Sequence, residues 1–125
     1  MIQLGFAFLH VDKSGFEHLR FVISSPQVDP ENVVTVNIST YEDRKDKSCI
    51  LEPEDHAFIR HRSCVMYDEA EIWPLADLES LLARNLIQPH DPASEKLIDK
   101  LLDGAYATKR MPLKMKKILA DQKII

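Results

Sequence analysis

Cys49, His56, His61 and Cys64 form a Cys-x6-His-x4-His-x2-Cys series whose residue types suit zinc, because thiolate and imidazole are its usual ligands. The spacing is not a standard zinc pattern. Both cysteines also sit in apolar, strand-like runs, where free Cys behaves as a small buried hydrophobe, so no metal and no cofactor is expected. Arg60-His61-Arg62 is a compact basic group able to hold a phosphate, with a solvated loop as the plainer reading. His18 and Arg20 stand two apart in a strand-like run and so point to the same side, and an imidazole can give or take a proton near neutral pH. Ser39 and Thr40 close another apolar run, as turn formers or as hydroxyl donors.

The elements that must position these groups are read from charge and periodicity. The chain has 125 residues, 45% apolar and 29% charged, values of an ordinary globular domain, so 1–125 is expected to be a single domain. Its net charge of −4 is unevenly spread. Residues 1–108 hold 10 Lys/Arg against 19 Asp/Glu, whereas 109–125 hold 6 against 1, a basic tail on an acidic body. That excludes a uniformly basic nucleic-acid protein but not a local basic patch. The lysine-rich end suits phosphates or, more simply, a solubilising tail. With only Gly5, Gly15 and Gly104, neither a P-loop nor a Gly-x-Gly-x-x-Gly turn can be written. Two cysteines give no disulfide framework, the first residues lack a basic leader, and no apolar run approaches a membrane span, so a cytoplasmic chain with no membrane association is expected.

The first half alternates with period two. Residues 6–11 and 18–24 flank Asp12-Lys13-Ser14-Gly15 as a hairpin, and the β-branched run 33–39 is the clearest strand. Residues 41–48 carry six charges and read as a solvated, mobile loop. A short strand at 49–52, a turn at 53–56 and a strand at 63–68, extending toward Ile72, complete five strands over 1–73. From Pro74 the period becomes helical. Leu75 to Leu86 form one amphipathic helix, and Asp91-Pro92 caps a second that carries Leu97, Leu101 and Ala105 and ends near Gly104. Pro112 opens a third that frays toward the end. The expectation is an α+β chain, a small β-barrel over 1–73 followed by helices over 74–125.

The order of segments carries a resemblance. His18-Leu19-Arg20-Phe21-Val22-Ile23-Ser24-Ser25-Pro26, then Val33 to Thr40, a polar loop, Cys49-Ile50-Leu51, and Arg62 to Glu69 before a helix resemble the MazF/PemK/Kid family of toxins over roughly residues 16–86. In that family an Arg-Pro segment leads an apolar strand, the next strand ends in Ile-Thr-Ser or similar, and a later Asp-Ser-Val strand runs into Gln-x-Arg. Here order and lengths match and the motifs match in part. No proline follows His18, and Glu69-Ala70-Glu71 replaces Gln-x-Arg.

The resemblance implies an SH3-like barrel that forms a homodimer, cleaves single-stranded RNA without a metal, and is inhibited by a small cognate antitoxin protein. Carried over by position, the family's strand-leading arginine falls on His18 and its strand-ending hydroxyl on Ser39. Metal-independent cleavage needs a base for the 2′-hydroxyl proton, an acid for the leaving oxygen and a donor for the phosphorane. The catalytic expectations are therefore His18, Ser39 and His61, and the RNA-binding expectations Arg20, Thr40, Tyr41, Arg60 and Arg62. Tyr41 would stack on a base. The lost arginine favours an alternative, a non-catalytic module of the same fold that binds a protein target through anchors such as Trp73 or Met115. A further possibility is that the helices beyond Leu86 cover the site in cis.

Overall fold

In the computed structural model, which describes residues 1–125, six antiparallel strands form one sheet that curls into a half-barrel, followed by helices. The strands are β1 (Ala7–Val11), β2 (Glu17–Val22), β3 (Asn32–Thr40), β4 (Ile50–Leu51), β5 (Ser63–Pro74) and β6 (Gln88–His90), in spatial order β4-β5-β3-β2-β1-β6. Helix α1 (Leu75–Ala83) separates β5 from β6, and α2 (Glu95–Ala107) and α3 (Leu113–Asp121) follow. The chain is thus α+β with a β-rich first half, and the curled sheet is compatible with a small barrel.

Period-two alternation sorts the strands onto two apolar clusters. Leu19, Phe21, Val34, Val36, Ile38, Val65 and Tyr67 point to the concave side, where Leu97, Leu101 and Ala105 of α2, Met111, and Leu119 of α3 cover them. Phe8, Val22 and Val33 point the other way and meet Leu78 of α1 and Ile87. Helix α1 covers only one end of that outer face. At the other end the outward positions are polar, His10, His18, Arg20, Thr35 and Asn37, and they stay uncovered by any helix.

Several elements differ from the sequence expectation. A sixth strand appears at Gln88-Pro89-His90, paired with β1 at the sheet edge, where proline's missing N–H is tolerated. Helix α2 is capped by Ser94, whose Oγ accepts from the Leu97 N–H at 3.1 Å, and not by Asp91. Gly104 lies inside α2 instead of ending it. A Cβ there would come within 2.7 Å of Cys49 Cβ and collide with the Tyr67 hydroxyl, which donates to the Leu101 carbonyl at 2.7 Å, so glycine is required by the close approach of α2 to Tyr67 of β5. The charged loop 41–48 is tied down, since Asp46 is buried and accepts from the Thr108 hydroxyl between α2 and α3. The end of the chain is held as well, with Leu119 buried and Gln122 accepting from the Ser25 N–H at 2.8 Å.

Candidate functional site

Strands β2 and β3 pair only from Arg20↔Asn37 to Val22↔Thr35. Beyond Arg20, β2 stays with β1, and beyond Asn37, β3 stays with β5, so the two part like the mouth of a split barrel. The opening is a cleft of about 480 Å³. Phe16, Glu17 and His18 form one wall and Ile38, Ser39 and Thr40 the other. The segment from Ala57 to His61, with Ser63 and His90, closes the far side.

His18 is set by the hairpin turn before it. Asp12 Oδ1 accepts from the Ser14 N–H (2.9 Å), the Ser14 hydroxyl (2.7 Å) and the Phe16 N–H (3.0 Å), which leaves Oδ2 facing His18 Nε2 at 2.9 Å. The Ser14 hydroxyl first, and His18 second, hold the Asp12 carboxyl well below the usual carboxylate range. An ionised carboxylate only accepts, so Nε2 carries the ring proton and Nδ1 is the free basic nitrogen of the neutral ring. That is the arrangement of an oriented proton acceptor.

The opposite wall is built from the end of β3 and the loop after it. His61 Nε2 lies 2.9 Å from the Thr40 hydroxyl. Lys45 donates to Ser39 Oγ and to the Thr40 carbonyl, both at 2.9 Å, and pairs with Glu42 at 2.9 Å. Because the ammonium occupies a lone pair of Ser39 Oγ, the serine's own proton is free to donate elsewhere. The Lys45 side chain is only 10% exposed, so its charge is poorly screened and polarises the strand end. Arg60 is exposed on the cleft rim and makes no ion pair.

Of the residues expected from sequence, the cleft brings together His18, Ser39, Thr40, Arg60 and His61. Arg20, Tyr41 and Arg62 do not line it. Arg20 is buried beneath the outer face and hydrogen-bonded to Thr35. The Tyr41 hydroxyl donates to Asp43, and Arg62 pairs with Glu52 at 2.8 Å with its guanidinium over the Tyr41 ring. No residue beyond His90 lines the cleft, so α2 and α3 plug the concave core and do not cover the site in cis. Trp73 and Met115 are not free anchors. Trp73 packs edge-on to Phe8 and His10, and Met115 packs against the main core.

The zinc-like series does not assemble. His56 donates to the Asp91 carbonyl at 2.6 Å while its Nδ1 accepts from the Phe58 N–H at 3.0 Å, which occupies both ring nitrogens. Cys64 lies beside Met66, and no group of His, Cys, Asp and Glu is arranged to hold a metal ion. Burial pushes the Cys49 thiol up to about 11 and raises that of Cys64, so neither is a thiolate near neutral pH.

Three site residues are not recognisable from sequence reasoning alone. Asp12 reads only as turn chemistry, although its place two residues beyond His10, the cross-strand partner of His18, puts it diagonally beside that ring and is a signal that could have found it. Lys45 is one charge among six in its loop, and His90 belongs to a strand too short to show periodicity. Compared with known proteins, the chain matches no family model and no curated protein. No helix is long and apolar enough to cross a membrane.

Proposed function

We propose that the cleft cleaves single-stranded RNA by transesterification, in the manner of MazF/PemK/Kid toxins. The observation that carries this reading is one cleft between two parted strands that holds His18, His61 and the Ser39 hydroxyl together. His18 Nδ1 takes the proton of a 2′-hydroxyl, and the 2′-oxygen bonds to the adjacent phosphorus. His61, in its protonated form, gives a proton to the 5′-oxygen as the P–O5′ bond breaks. The products are a 2′,3′-cyclic phosphate and a 5′-hydroxyl, so atoms and charge balance without a cofactor. Ser39 donates to the phosphorane oxygens, and Arg60 on the rim with Lys45 behind the strand end supplies positive potential. Asp12 keeps the His18 ring in the tautomer that accepts a proton. The reading carries with it a small antitoxin protein as inhibitor and a homodimer as the working form in the cytoplasm.

The test is cleavage of a mixed-sequence single-stranded RNA by the purified full chain in chelator, with His18→Ala prepared identically. Wild-type cutting that leaves 2′,3′-cyclic ends, and an inert variant, support the reading. If both proteins are folded and inert, or both cut alike, catalysis is wrong. Inert, folded wild type makes the alternative, a non-catalytic protein-binding module, the surviving reading.

A further inference from the structure

The outer face of the sheet holds a second pocket, of about 440 Å³, whose chemistry is opposite to that of the cleft. An irregularity in β5 creates it. The β3–β5 register moves from Thr35↔Glu71 to Asn37↔Met66, so β5 carries surplus residues against Val36. Such a bulge bends the strand and re-aims its side chains. Tyr67 turns to the concave core, while Glu69, Ala70 and Glu71 come to the outer pocket, beside Arg20 and Asn37.

Arg20, at the pocket floor, is held by its neighbours. Arg20, 5% exposed, donates to the Thr35 hydroxyl (3.1 and 3.0 Å) and the Glu69 carbonyl (3.3 Å), and pairs with Glu71 Oε1 at 3.3 Å. The Trp73 indole also donates to Glu71 Oε1, which fixes that carboxylate and leaves Oε2 free. Asn37 Nδ2 donates to Glu69 Oε1 at 2.9 Å, and the amide cannot be reversed, because its oxygen would then face a carboxylate. Asn37 Oδ1 is consequently a fixed acceptor. It has no partner, in a residue only 2% exposed. Buried acceptors are nearly always satisfied, so an orphan in a pocket wall asks for a donor.

We propose that this pocket binds an organic cation, a guanidinium or a primary ammonium group, held by Glu69, Glu71 and Asn37. Three carboxylates, Asp12, Glu69 and Glu71, stand against the single guanidinium of Arg20, so the potential favours a cation. The free acceptors are two carboxylate oxygens and an amide oxygen, which match the several N–H groups of such a ligand. A phosphate would have to approach the Glu69 and Glu71 carboxylates that flank Arg20, and like charges repel. A divalent metal finds no converging set of ligands. The pocket also shares the His18 wall with the cleft, so occupancy is legible at that ring. The proposal goes beyond the RNA reading and does not depend on it.

The experiment is an NMR titration of the full chain that follows the Asn37 side-chain amide and the His18 ring. The probes are agmatine as a free guanidinium, the peptide acetyl-Gly-Arg-Gly-amide as a protein-presented one, N-butylurea as a neutral analogue, and inorganic phosphate. Agmatine is expected to saturate both signals, with N-butylurea and phosphate leaving them unmoved. Tighter binding of the peptide would identify an arginine of a partner protein as the source, and tighter binding of agmatine a free cation. Glu69 and Glu71 are exposed, and the side-chain amide that Glu69→Gln introduces keeps an oxygen able to accept from Asn37. The double variant Glu69→Gln/Glu71→Gln should therefore fold and lose affinity by about tenfold or more. The proposal is overturned if neither cation saturates the shifts by about 10 mM, if N-butylurea or phosphate does so as well, or if the folded double variant binds like wild type. RNA cleavage enters none of these readouts, so failure here is distinguishable from failure of the nuclease reading.

Discussion

His18 forms part of two recesses that differ in almost every other respect. It lines the cleft with His61, Ser39 and Arg60, with Lys45 behind the strand end. On the outer side it meets Asp12, Glu69 and Glu71 above a neutralised Arg20. The cleft arises where β2 and β3 stop pairing, and the pocket where they still pair but β5 bulges. One departure from ladder regularity exposes a strand end to solvent, and the other gathers side chains on a continuous sheet. The difference teaches that net charge says little about either place. A chain of net charge −4 holds a cation-rimmed opening and an acidic pocket that share one ring.

The strongest way to break this comparison is to remove the shared ring. His18→Ala should lower the RNA cleavage rate by about 10²- to 10⁴-fold, the range for losing a positioned acid or base. It should leave the two-carboxylate side of the outer pocket intact. Cleavage kinetics on purified, folded variant check the first part, and the agmatine titration read at Asn37 checks the second. If cleavage and cation binding vanish together, the two recesses are one site.

How far the sequence anticipated each recess follows from how local its signals are. Period-two runs at residues 18–24 and 33–39, and the leucine spacing from Leu75 onward, depend on near neighbours, and the strands and helices stand there. His18, Ser39 and Thr40 lie at the ends of such runs and are grouped through the family resemblance, whereas Arg60 and His61 lie in the loop before β5 and their place in the cleft is set by the sheet. The outer pocket depends on a three-strand juxtaposition and a register shift, which no local window contains. Arg20 illustrates the limit. Its side of the strand is legible, yet its burial under Thr35 and Glu71 is decided by strands that arrive later in the chain. Gly104 misleads for the same reason, since a terminator and a close-contact glycine look alike until the Tyr67 ring is in place.

Gly104 allows both recesses to be perturbed from a distance. Gly104→Ala should destabilise the fold by about 1–3 kcal/mol, as overpacking a tight contact does. The collision falls on Tyr67 and Cys49 rather than on a flexible side-chain end. Thermal or denaturant unfolding measures the loss. The rate constant of the folded fraction and its cation affinity should both stay near wild type, because α2 lines neither recess. A change in one and not the other would show that the concave packing sets that recess alone.

Asp12 separates orientation from charge. Asp12→Asn keeps the shape but offers His18 an amide in place of a carboxylate, so cleavage should fall by about tenfold, less than for loss of the ring itself. The same substitution has a signed pH consequence. The folded-state pKa of Asp12 lies below the ordinary 3.8, so its interactions stabilise the fold above that value and lose their contribution as pH falls toward the folded pKa. Wild type should therefore exceed the variant in stability by a constant margin above about pH 5, and the margin should shrink with acidification below it. Urea unfolding at several pH values would show this, and a margin that grows on acidification would contradict the hydrogen bonds that hold the Asp12 carboxylate.

The smallest effect is expected where the two recesses touch only through their fields. Glu69→Gln/Glu71→Gln removes two negative charges from the outer pocket and no group from the cleft. The rate of RNA cleavage at low substrate and low salt should rise by about twofold through weaker repulsion of phosphate, and the gain should vanish near 0.5 M salt, where screening is short-ranged. Saturated turnover should not change, because the acid and base are untouched. An increase that survives high salt would place Glu69 or Glu71 in contact with the RNA, and a fall in saturated turnover would mean that the acidic pocket helps to hold His18 in its working orientation.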